Sequence, residues 1–84
     1  MNTVDSQPER ARHNYQTALK LARAIPRLDI RIEALSAYGH FLACQGEDAM
    51  GELSEALRLA RNGGYRLYEV DVRVRLAWAR MQEN

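Results

Sequence analysis

Ala56-Leu57-Arg58-Leu59-Ala60-Arg61 repeats Ala18-Leu19-Lys20-Leu21-Ala22-Arg23 at an offset of 38 residues. Outward from this core, the same offset pairs Ala11 with Ala49, Tyr15 with Leu53, Ile32 with Val70, Glu33 with Asp71 and Gly39 with Ala77. Self-similarity at such a period marks helical repeat arrays, in which each unit buries its apolar face on the next. The two copies are therefore expected to sit side by side, with Ala18 and Ala56 in like surroundings.

Taken in order, the chain divides into four helical stretches. Residues 1–6 read as a flexible tail. Ser6-Gln7-Pro8-Glu9 has the makings of a helix start: Ser6 as cap, Pro8 in the first turn and Glu9 closing a capping box. Ala11, Tyr15, Ala18, Ala22 and Ile25 follow at helical spacing, and Pro26 ends the stretch, giving a helix over about 7–24. Asp29 is the candidate cap of a second helix, about 30–46, whose stripe is Ile32, Leu35, Tyr38, Gly39 and Leu42. A mid-helix glycine costs about 1 kcal/mol against alanine, so Gly39 implies close approach of a neighbouring helix.

Glu47 and Asp48 suit the first turn of a third helix, about 47–62, where carboxylates complement the helix dipole. Its stripe is Ala49, Leu53, Ala56 and Ala60 with Leu57 beside it, and Gly63-Gly64 end it with a left-handed residue. The fourth helix, about 67–82, has the stripe Val70, Val74, Ala77 and Met81. Val70, Val72 and Val74 also alternate as a strand would. The 38-residue echo of the second helix decides for helix. Short connections make neighbouring helices antiparallel, so 7–84 is expected to form one all-α domain of four helices.

These stretches resemble the tetratricopeptide repeat, whose signature combines Trp-x-x-Leu-Gly-x-x-Tyr with Ala-x-x-x-Phe and a closing Pro. Leu35-Ser-Ala-Tyr38-Gly39-His-Phe-Leu42 is similar to the first part. Ala49-Met-Gly-Glu-Leu53 with Ala56-Leu57, and Ala11-Arg-His-Asn-Tyr15 with Ala18-Leu19, are similar to the second. Leu76-Ala77 stand where Tyr38-Gly39 do, while Arg73 and Arg80 replace Leu35 and Leu42. The closing proline is displaced. The period exceeds the usual 34, with the extra length in Ile25–Ile32 and Gly63–Val70, as in the longer-period, bacterial-type members. The resemblance covers residues 9–82 and implies an α-α superhelix of antiparallel hairpins, in the order second helix, full repeat, first helix.

Composition limits the function classes. Twelve basic and eleven acidic residues leave a net charge of +1, so no global field draws in nucleic acid or an anionic membrane. A single cysteine, Cys44, excludes an internal disulfide and a cysteine-based metal cluster. No run approaches the ~20 apolar residues of a membrane span, and the first residues lack the pattern of a signal peptide. The expectation is a cytoplasmic protein. No phosphate loop, nucleophile elbow or paired acids are present, so neither enzymatic chemistry nor a cofactor or metal is expected.

The resemblance also implies a concave face formed by the first helix of each repeat. That face would hold Ser36, His40 and Cys44 on the second helix and Val74, Trp78 and Met81 on the fourth. Trp78 and Met81 are large contact residues of the kind interfaces favour, and the implied partner is a protein or peptide; the competing reading has Trp78 packing on a neighbouring helix. Self-association into a homo-oligomer is a second reading, because both ends of a repeat stack can expose apolar stripes. A third uses Arg66, Arg73 and Arg80, seven residues apart, as a basic stripe for nucleic acid or an acidic partner. The same arginines also serve as a solubilising cap where a further helix would have packed. His13 and His40 lack metal spacing, and Cys44 lacks the cationic setting of a nucleophile.

Overall fold

The described residues form four α-helices: α1 Thr3–Ala24, α2 Leu28–Cys44, α3 Met50–Gly63 and α4 Arg66–Gln82. They are seen in a computed structural model that describes the backbone of residues 3–82 and the side chains of residues 7–82. Each helix packs on the next, and α2 also packs on α4. Connections of two to five residues turn each helix back along its predecessor. Val70, Val72 and Val74 are helical.

The helix starts differ from the capping signals. α1 takes in Thr3 to Ser6, which those signals place before it, so Pro8 lies inside the helix; residues 1 and 2 lie outside the described residues. α2 begins one residue before Asp29. Arg27 occupies the N-cap with no side-chain bond, and Asp29 sits in the first turn. There its carboxylate accepts from Nη2 of Arg27 at 2.7 Å. Glu47 and Asp48 precede α3, whose N-cap is Ala49; Asp48 accepts the Met50 N–H at 3.0 Å from one residue before the cap.

The helix ends follow the sequence closely. Gly64 closes α3 with φ +76°. Its N–H donates to the Arg61 carbonyl, and the next N–H, of Tyr65, reaches back to the Ala60 carbonyl. That pair of bonds is the Schellman pattern, which requires a left-handed residue. Gly46, φ +74°, closes α2 in the same way, with Glu47 N–H bonded to the Leu42 carbonyl.

The core runs through α2 and α3. Ile32, Leu35, Tyr38, Gly39, Leu42, Ala49, Leu53, Ala56 and Ala60 are all buried, as their spacing predicts. Gly39 is buried because α3 crosses it: a Cβ there would lie 2.6 Å from Leu53 Cγ. α2 is the central helix, with α1 on one side and α3 and α4 on the other. It therefore buries Ser36 and Ala43 in addition to its main stripe.

Two expectations are corrected. The buried residues of α4 are Val72, Leu76 and Ala79, whereas Val70, Val74, Ala77 and Met81 are exposed. The exposed set includes the 38-residue partners of Ile32, Ser36, Gly39 and Ala43, which face forward onto α3 and α4. Among the described residues no helix lies in front of α4, so only its rear face is covered. For the mirror-image reason Ala18 is exposed while Ala56 is fully buried. α2 covers α3 from behind, and no described helix covers α1 in that way.

Candidate functional site

α2 and α4 contribute the residues read as a recognition face. His40 and Trp78 are 38 residues apart and hold equivalent places in the two copies. Their ring centroids lie 5.2 Å apart with a 43° tilt. Trp78 also packs on the core edge and is half-buried. The anchoring and recognition readings of this tryptophan therefore describe two sides of one ring. Cys44, one turn beyond His40 and exposed, places Sγ 3.7 Å from His40 Nε2. The structure thus brings His40, Cys44 and Trp78 into one cluster.

The other members of the predicted face are placed differently. Ser36 is buried, at 4 % exposure, and has no role at the surface. Its Oγ and the Nδ1 of His40 are buried without a hydrogen-bond partner. Buried polar atoms of this kind cost free energy until satisfied. Val74 and Met81 are 63 % and 71 % exposed. Met81 matches Ala43 in register; the match to Cys44 is Gln82.

Arg66, Arg73 and Arg80 are all exposed on α4. The stripe is not a row of free cations, however. Arg73 Nη2 lies 2.7 Å from Glu69 Oε2, one turn back, and the same carboxylate oxygen is 3.9 Å from Arg61 Nε. Glu69 thus neutralises part of the charge that a phosphate backbone would seek.

Two features escape the linear reading because they join distant residues. Arg12 on α1 makes a two-pronged bond to Glu47 in the α2–α3 connection, with Nη1 to Oε1 at 2.9 Å and Nη2 to Oε2. The guanidinium also lies 5.6 Å from the centre of the Phe41 ring, within cation–π range. The Glu47 hydrogen bond raises the Arg12 pKa above its usual value and, reciprocally, holds the Glu47 carboxyl below the usual carboxylate range. The hydrogen bond from Arg27 likewise lowers the Asp29 pKa.

The second feature is a groove between α1 and α2 lined by Tyr15, Ala18, Ala22, Ile30, Ala34 and Ala37, with Glu33 at its side. Register could have located it. Tyr15, Ala18 and Ala22 match Leu53, Ala56 and Ala60, and Ala34 matches Val72; all four partners are fully buried.

Among the described residues no three His, Cys, Asp or Glu side chains gather as a metal site, and no helix is long and apolar enough to cross a membrane. Family models, curated proteins and solved structures give no match to this chain.

Proposed function

We propose that the chain is a tetratricopeptide-like recognition module that binds an extended segment of a partner protein across α2 and α4, without chemistry of its own. The observation that carries this reading is the His40–Trp78 contact. Equivalent positions of two repeats lie side by side, so one residue from each unit is presented on a shared surface. A repeat array recognises ligands in this manner, by adding neighbouring positions along a groove. Trp78 supplies apolar area at low conformational cost, and His40 and Cys44 supply polar edges beside it. Nucleic acid is the weaker alternative, since Glu69 offsets Arg73 within the arginine stripe.

The test is selection of displayed random peptides on the 84-residue protein. The expected result is a consensus whose binding is lost in His40→Ala and in Trp78→Phe. Enrichment of nothing, or of peptides indifferent to both substitutions, removes this face as the binding surface.

A further inference from the structure

α4 carries apolar residues on two opposite sides. Val72, Leu76 and Ala79 face the core, while Val70, Val74, Ala77 and Met81 face solvent, with Leu67 beside them 88 % exposed. A helix that only closed a stack would be polar on its outer side. On the opposite side of the stack no described residue covers the α1–α2 groove, and Ala18, which lines it, is exposed.

The molecule contains its own template for how these two surfaces relate. The forward face of α2, Ile32, Ser36, Gly39 and Ala43, is buried where α2 packs on α3 and α4; Gly39 meets Leu53 there, and Ala56, Ala60 and Val72 are fully buried on the same two helices. Moved by 38 residues, that face becomes Val70, Val74, Ala77 and Met81. The receiving surface moved back by 38 becomes Tyr15, Ala18, Ala22 and Ala34, which line the groove. We propose that α4 of one molecule seats in the α1–α2 groove of a second copy, so that the protein assembles head to tail.

Three observations specify a second copy as the occupant. First, the seat repeats an interface the chain already makes with itself. Second, the charges are complementary: α4 carries Arg80 on its exposed surface, and the groove has the carboxylate of Glu33 at its side. Third, the His40–Trp78 contact continues across the junction, because the same shift sets Trp78 against His40 of the following copy.

The junction is looser than its template. Ala77 replaces Gly39, Tyr15 replaces Leu53, and Arg73 and Arg80 replace two buried leucines. Association is accordingly reversible. Because donor and acceptor surfaces differ, it does not close at a dimer. His40 and Trp78 are shared between this junction and the recognition face, so the two readings are separated by testing the junction at Val74 and Ala18 and recognition at His40 and Trp78.

Sedimentation of the 84-residue chain from ~10 µM to ~1 mM tests it over the range of weak protein–protein affinities. The expected wild-type mass rises past that of a dimer. Val74→Glu blocks the donor face and Ala18→Glu blocks the groove; both sites are exposed, so both variants fold, as circular dichroism will show. Each variant alone is expected to stay monomeric. Mixed in equal amounts they form a dimer and stop, because one intact donor meets one intact groove. A wild type monomeric throughout, a mixture that stays monomeric, or self-association retained by Ala18→Glu each overturns the proposal.

Discussion

Gly39 and Leu53 meet so closely that a Cβ on the glycine would lie 2.6 Å from Cγ and 2.7 Å from Cδ2 of the leucine. Helix propensity alone favours Gly39→Ala by about 1 kcal/mol. Packing opposes it, because Leu53 is fully buried and has little room to turn aside. The expected net result is destabilisation of about 1–3 kcal/mol, the usual cost of overpacking, read from the denaturant midpoint. Combining it with Leu53→Ala should cost less than the sum of the two single changes.

Other glycines respond in opposite directions. Gly64→Ala forces a side chain onto a left-handed residue, φ +76°, and is expected to cost about 1 kcal/mol. Gly51 is helical and exposed with nothing near its missing Cβ. Gly51→Ala is expected to stabilise by about 0.5–1 kcal/mol. Thermal melts of the two variants, shifted to opposite sides of wild type, check both claims.

Acid sensitivity follows from the two lowered carboxylates. Glu47 and Asp29 have folded-state pKa values below the ordinary range, held there by Arg12 and Arg27. Their contribution is present above the unfolded pKa, near 4, and is lost as pH falls through the lower folded values. Denaturant midpoints are therefore expected to drop below about pH 4, by a small amount because the pairs are exposed and screened by salt. Glu47→Gln should flatten that drop; an unchanged pH profile would show that the Arg12 clamp does not contribute.

Trp78 is the only tryptophan, and its contact with the core edge means that Trp78→Ala reports stability as well as binding. The expected stability loss is about 1–3 kcal/mol, less than for a fully buried tryptophan. His40→Ala and Trp78→Phe are the cleaner probes of recognition. Wild-type tryptophan emission is expected to shift on peptide binding, and a spectrum unmoved by a saturating peptide places the ligand away from α4.

The arginine stripe makes a separate prediction. Glu69 already holds Arg73 at 2.7 Å, so duplex DNA and single-stranded RNA are expected not to bind in a gel shift even at low salt. A steeply salt-dependent affinity that disappears on changing Arg73 and Arg80 to Glu would transfer the function to this stripe.

The helical identity of each stretch was legible because apolar spacing and glycine stops are local signals. Gly64 and the stripes of α2 and α3 behave as they read. Which side of α4 is covered was not legible from its own spacing. The forward stripe Val70, Val74, Ala77 and Met81 is as regular as the rear set Val72, Leu76 and Ala79, and only the position of α4 in the stack chooses between them. The helix starts shifted: Asp29, read as the cap of α2, sits in its first turn, and Glu47 and Asp48, read into the first turn of α3, precede it. Of the candidate site, His40 and Trp78 were named through the tetratricopeptide resemblance, which set both on one face, while their direct contact was not foreseen. The burial of Ser36 was not, since it depends on how tightly three helices surround α2.

α1 touches only one neighbouring helix at backbone range, whereas α2 touches three. Native-state amide exchange should therefore divide the molecule in two. The amides of α1 would open in a partial excursion that leaves the remainder intact, and those of α2 and α3 would exchange only when the whole chain lets go. The fraying end is also the acceptor end, so slowing of α1 exchange with rising concentration would register each new molecule as it joins.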